Sequence, residues 1–141
     1  MFLAKDCLGQ TAWHNAAGRG QVEVLDKLWN WAKELQLTPE ELRNEMLLSK
    51  DMYKKSALQE AAQGGHVKIL KKLWDWAKEL QLKPEELRNM LLSKDKFKET
   101  AWLNAANSGH VEILQEMWDW AKELQLNPEE LWNELFLSKD Y

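Results

Sequence analysis

The sequence predicts an all-α protein: a solenoid of three copies of one unit, about three helices per unit, joined by short turn or hairpin connections. Three observations carry this. The nonapeptide WDWAKELQL occurs at residues 74–82 and 118–126, and WNWAKELQL at residues 29–37. Around each copy the apolar residues recur at three- and four-residue spacing, the period of a helix with a buried face. Gly20, Gly65 and Gly109, like Pro39, Pro84 and Pro128, fall at matching places in the three copies, where helix ends need them.

The units begin at Asp6, Asp51 and Asp95 and span residues 6–50, 51–94 and 95–139, with lengths of 45, 44 and 45 residues. The opening MFLAK matches the LFLSK and MLLSK that close other units, so residues 1–5 read as the tail of a preceding unit. Residues 1–141 are then a single repeat domain. The first helix of each unit starts at Thr11, Ser56 or Thr100, hydroxyl residues suited to N-capping, and stops at the glycine. The second runs from about Val22 to Leu35. Leu25, Leu28, Trp29, Ala32 and Leu35 form its stripe, and Val24 and Trp31 widen it, so it must be covered on more than one side. The third opens with TPEEL: Thr38 caps, Pro39 takes the first helical position, and Glu40 and Glu41 meet the positive end of the dipole. Lys83-Pro84 and Asn127-Pro128 repeat this grammar. LLSKD then leads into an extended segment and a turn. Unit two lacks the residue that matches Glu45 and Glu134.

The segment DCLGQTAWHNAAGRGQVEVLDKLW resembles the ankyrin repeat through Asp6, Gly9, the TAWH of Thr11–His14, Ala16-Ala17, Gly20, Val24-Leu25 and Leu28. Units two and three keep GHVKIL and GHVEIL. The resemblance covers the first 27 or so residues of every unit. It implies a right-handed solenoid of three extended ankyrin-like repeats, in which turn tips and first helices line a concave surface that holds partners. The departures are specific. The family's unit is about 33 residues, and this one adds roughly a dozen, mostly the PEELRN helix. Ala12 replaces the family's Pro, Trp13 and Trp102 its Leu, and Lys54 and Lys98 the glycine of position 9. A three-helix repeat of armadillo length stays open as the alternative, since that period is also about 44.

Aligned, the units differ in all three copies at the columns of residues 7, 8, 10, 14, 18, 19, 26 and 38, of which six lie in the turn and first helix. At about 100° per residue, Ala12, Trp13, Ala16 and Ala17 share one nearly constant arc and should be core. His14, Asn15, Gly18 and Arg19 share the opposite, changing arc. The candidate partner-binding residues are therefore Leu8, Gln10, His14, Asn15 and Arg19 in unit one. In unit two they are Met52, Tyr53, Lys55, Gln59, Glu60 and Gln63, and in unit three Lys96, Phe97, Glu99, Leu103, Asn104 and Asn107. The expected function is non-enzymatic recognition of a protein. Lys54, Lys55 and Lys68 favour a partner with an acidic patch. The alternatives are a small-molecule binder with an aromatic, polar-lined concave pocket, and a consensus scaffold without a target.

Other chemistry finds little support. Units one, two and three carry seven acidic and five basic, six acidic and nine basic, and nine acidic and four basic residues, within a net charge of −4. That balance is poor for nucleic acid, whose binders show a basic face. No apolar run approaches the roughly 18–20 residues that cross a bilayer, and MFLAKD has no signal-peptide layout. Cys7 is the single cysteine, which fits a reducing, cytoplasmic compartment. His66 and His110 share one column a whole unit apart, so no zinc spacing appears and neither metal nor cofactor is expected. No nucleophile elbow or phosphate loop suggests an enzyme. Both registers of repeated tryptophan on the second helix read as core, while Trp132 stands where units one and two have Arg43 and Arg88. Phe2, Leu3, Phe136, Leu137 and Tyr141 suggest weak end-to-end self-association.

Overall fold

A computed structural model of the chain describes residues 12–127 and residue 129, the side chain of Glu45 excepted. Thr11, the tail at residues 1–5, Trp132 and the apolar residues of both termini lie outside the described residues. Among the described residues there are eight α-helices, one π-helical turn and no strand. The protein is all-helical.

In unit one, α1 (Ala12–Arg19) leads to α2 (Val22–Glu34) and then α3 (Pro39–Leu42), which continues as a π-helical turn over Arg43–Leu47. Unit two supplies α4 (Ala57–Gly64), α5 (Val67–Glu79) and α6 (Pro84–Leu92), and unit three α7 (Ala101–Asn107) and α8 (Val111–Glu123). The boundaries follow local chemistry. Ser56 Oγ accepts from Gln59 N while Gln59 Oε1 accepts from Ser56 N, both at 3.3 Å, closing a capping box on α4. Thr100 Oγ1 accepts from Leu103 N at 3.2 Å. Thr38 and Glu41 make the reciprocal pair on α3 at 3.1 and 3.0 Å. Lys83 has no acceptor to offer, so on α6 only the half from Glu86 remains, its Oε1 accepting from Lys83 N at 3.1 Å. Gly20 and Gly65 end the first helices with φ of 72° and 77°. A Cβ there would meet the rings of His66 and His110 at 2.6 and 2.5 Å, so both the backbone and the space demand glycine.

Corresponding helices of successive units lie side by side. α1 packs on α4 and α4 on α7, while α2 packs on α5 and α5 on α8. The first-helix layer is built on buried alanines, Ala16, Ala17, Ala57, Ala61, Ala62, Ala101 and Ala105, whose small side chains let helix axes come close. The second-helix layer is built on indoles. Trp29 stacks on Trp76 at 4.6 Å and 9°, and Trp74 on Trp120 at 4.4 Å and 7°. Trp13 joins the first stack at 5.8 Å from Trp29 and 5.6 Å from Trp76. Each stack therefore takes one ring from either tryptophan register and crosses a unit boundary.

Ion pairs cross the same boundaries: Lys33 with Glu79 at 2.8 Å, Lys78 with Glu123, Asp26 with Lys72 at 3.0 Å, and Lys71 with Glu116 at 3.3 Å. All are substantially solvated, so each contributes little to stability, about 0–1 kcal/mol. Their polarity matters more: Lys33–Glu79 and Lys78–Glu123 run the same way at both boundaries, whereas Asp26–Lys72 and Lys71–Glu116 are reversed.

The second-helix stripe needs correction. Val24, Trp31 and Leu35 are exposed, although their repeat partners Ile69 and Ile113 are fully buried and Trp120 nearly so. Trp118 is exposed as well, unlike Trp29 and Trp74. Whether a residue of this stripe is core depends on a neighbouring unit rather than on its own helix. Ala12, placed on the core arc, is likewise exposed.

The π-helical turn has a sequence cause. Unit one carries one residue more than unit two between Leu42 and Leu47. Leu42, Met46 and Leu47 are nevertheless buried, as are their counterparts Leu87, Met90 and Leu91 in α6. The extra residue is absorbed by widening the helix, with Leu48 N donating to Arg43 O at 2.8 Å across five residues.

Candidate functional site

The turns before α4 and α7 are organised by an aspartate in each. Asp51 Oδ1 accepts from Tyr53 N at 2.8 Å and Lys55 N at 3.0 Å, and Asp95 Oδ1 accepts from Phe97 N and Glu99 N at the same distances. Each turn closes through a left-handed lysine, Lys54 at φ 60° and Lys98 at φ 63°. Such a backbone costs a non-glycine residue about 1–2 kcal/mol. The two turns are joined by Lys96 N donating to Tyr53 O at 2.7 Å.

On this frame the apolar side chains of the tips meet. The Tyr53 and Phe97 rings lie 5.9 Å apart and 23° from parallel. Tyr53 is half-buried, whereas Met52 and Phe97 are each 52% exposed. Lys55 Nζ reaches Gln63 Oε1 at 2.6 Å, and Glu99 Oε2 accepts from Asn107 Nδ2 at 2.7 Å. These pairs fix the polar margin along the first helices. Arg19, Gln63, Lys96 and Asn107 are exposed, while Asn15, Lys55, Glu60, Glu99 and Leu103 are half-buried. Leu8 and Gln10 lie outside the described residues.

Three expected contact residues are corrected. His14, Gln59 and Asn104 are buried and face the stack. His14 Nε2 donates to Ser49 O at 2.9 Å, Gln59 Nε2 to Glu99 O at 3.0 Å, and Asn104 Nδ2 to Glu99 Oε1 at 3.3 Å. The helical projection gives the first helix two faces. The connecting segments cover a third side, and a polar residue there is held by carbonyl and carboxylate groups because burial without a partner is costly. In the other direction, sequence reading passed over Asp51 and Asp95 as organisers of the turns. Their signal was available, an aspartate followed two residues later by Tyr or Phe at the same place in both units.

Among the described residues no group of three or more His, Cys, Asp or Glu side chains could hold a metal ion, and no helix is long and apolar enough to cross a membrane. His66 and His110 serve the stack: their Nε2 atoms donate to Gly18 O at 3.0 Å and Gln63 O at 3.1 Å. Among the described residues, two cavities are lined by none of Met52, Tyr53 and Phe97. One of about 200 Å³ is lined by Leu47, Leu48, Lys50, Ser56, Asn89, Met90 and Ser93. The other, of about 320 Å³, lies around Gly109 and His110. Comparison with protein-family models and with curated proteins finds no match to this chain.

Proposed function

We propose that this chain is a non-enzymatic recognition scaffold, a right-handed solenoid of extended ankyrin-like repeats that binds a protein through its turn tips and first helices. The observation that carries the reading is the row Met52–Tyr53–Phe97. Apolar side chains stand half in water on rigid, aspartate-braced turns, in columns where the units differ most. Leaving such groups in water is unfavourable, and large apolar surface set inside a polar margin is how a protein contact concentrates its energy. Lys54, Lys55 and Lys96, in the same two turns, set positive charge beside the row and favour an acidic partner surface. A small-molecule site would be a concave pocket of roughly 300–1,000 Å³ with converging polar groups, and the row Met52–Tyr53–Phe97 lines neither of the cavities described above.

The test is affinity capture with the wild-type chain and the Tyr53→Ala/Phe97→Ala double variant, with bound proteins identified by mass spectrometry. A partner held by the wild type should lose about 2 kcal/mol or more of affinity for the double variant, at unchanged helical circular dichroism. A partner held equally by both would move the site off the turns.

A further inference from the structure

The two outward faces of the described stack are the two halves of an interface that the molecule already contains twice. On the face of unit one, Trp31 is 49% exposed, although Trp120 in the same register is 7% exposed and lies against Trp74. On the face of unit three, Trp118 is 38% exposed, whereas Trp29 and Trp74, the rings that receive the neighbour's indole, are 2% exposed. Among the described residues nothing stacks on Trp31, and Trp118 meets only the tilted ring of Trp102 at 6.1 Å.

The smaller residues follow the same rule. Ala12 is exposed where Ala57 and Ala101 are buried, and Ala106 is exposed where Ala17 and Ala62 are buried. Gly109 shows it most directly. A Cβ on Gly20 or Gly65 would strike the next unit's histidine ring, but one on Gly109 would meet nothing within 4 Å.

We propose that copies of this chain stack head to tail, the face of unit three receiving the face of unit one of the next copy, with Trp118 of one against Trp31 of the other. The occupant is a second copy because each face is the complement of the other and continues the pattern of the internal boundaries. Charge agrees with that register. Lys122 stands in the column of Lys33 and Lys78, and Glu34 in the column of their partners Glu79 and Glu123. Among the described residues, neither Lys122 nor Glu34 has an ion pair. In the Asp26–Lys72 and Lys71–Glu116 columns the new boundary would set Gln115 opposite Lys27, with no like charges opposed. Gln21 stands where His66 and His110 do and brings an amide donor to the carbonyl of Asn107. The interface is heterologous, so a two-fold pairing would oppose like halves, and assembly should grow beyond a dimer unless the rotation closes a ring. The acidic surplus of units one and three opposes approach at low salt, so association should be read at about 0.15 M ionic strength or above.

Sedimentation equilibrium of the full chain tests this, with Trp31→Asp and Trp118→Asp variants checked for wild-type circular dichroism. The wild type should show an average mass rising with concentration, and each variant alone should associate at least about tenfold more weakly. Mixed in equal amounts, the variants should form a heterodimer that goes no further, since the mixture offers one intact Trp118 face and one intact Trp31 face. Should either indole matter to folding, Lys122→Glu and Glu34→Lys, both at solvated positions, give a second reading: each alone opposes like charges across the boundary and should associate more weakly, whereas their equal mixture opposes unlike charges at every boundary and should regain growth beyond a dimer. A wild type that stays monomeric, or one whose association survives both tryptophan variants, would overturn the proposal. So would a mixture that remains monomeric.

Discussion

In the first-helix layer, α1, α4 and α7 meet through alanines and are tied to the connecting segments by buried hydrogen bonds from His14, Gln59 and Asn104. In the second-helix layer, α2, α5 and α8 meet through parallel indoles, with ion pairs along the solvated edge. The two layers hold the same units together, yet the sequence treats them differently. The indole layer is nearly copied from unit to unit, while the hydrogen-bonded layer changes at almost every position that is not alanine. A stacked ring pair constrains both partners at once and leaves little room for substitution. A helix backed by alanine constrains only the arc that faces its neighbour, and the rest of its circumference can vary. Variation is therefore concentrated in one layer.

Five measurements would break or sharpen that contrast, each read as a chemical-denaturation midpoint and slope. Trp74→Ala removes a buried ring and its stack with Trp120 and should cost about 3–5 kcal/mol. Trp31→Ala, the same residue type at an outward face, should cost far less, and equal costs would mean that the stack is not what stabilises the layer. Next comes Ala61→Leu on α4. Added methylenes where helices are closely set should cost about 1–3 kcal/mol, and a neutral result would show slack in the first-helix layer. Gln59→Ala removes half of a capping box and the bond to Glu99 O, with an expected loss of about 1–2 kcal/mol. The smallest effect belongs to the edge. A double-mutant cycle on Lys33 and Glu79 should give a coupling below about 1 kcal/mol that shrinks with added salt.

Much of the helical order was legible in the sequence because its signals are local. Ser56 and Thr100 start helices, Gly20 and Gly65 end them, and Pro39 and Pro84 sit one residue inside the next, all within a turn of the boundary they set. The candidate site was legible only in part. Arg19, Met52, Gln63, Phe97 and Asn107 reach the surface as their variation suggested. His14, Gln59 and Asn104 do not, because the groups that satisfy them come from connecting segments outside their own helices; Ser49 is 35 residues from His14. The same limit explains Trp31 and Trp118: helical periodicity places a ring on a face but says nothing of whether another unit covers it. The indole N–H groups of Trp13, Trp29 and Trp74 are buried with no acceptor among the described residues. Those rings serve the core through area and stacking with no hydrogen bond from the indole, which is why their spacing resembled that of any large apolar residue.

The π-helical turn over Arg43–Leu47 changes how this chain tolerates its own length. A residue added to an ordinary helix rotates everything after it by about 100°, enough to turn a buried leucine toward solvent and to misalign the units that follow. Here the addition is taken up within five residues: Met46 and Leu47 are buried as Met90 and Leu91 are, and the next turn begins in the same phase. Units of 44 and 45 residues are consequently interchangeable parts. Gene duplication, recombination between units, or slippage at this position could alter the array without rotating its neighbours, and the third helix acts as an expansion joint for the whole stack.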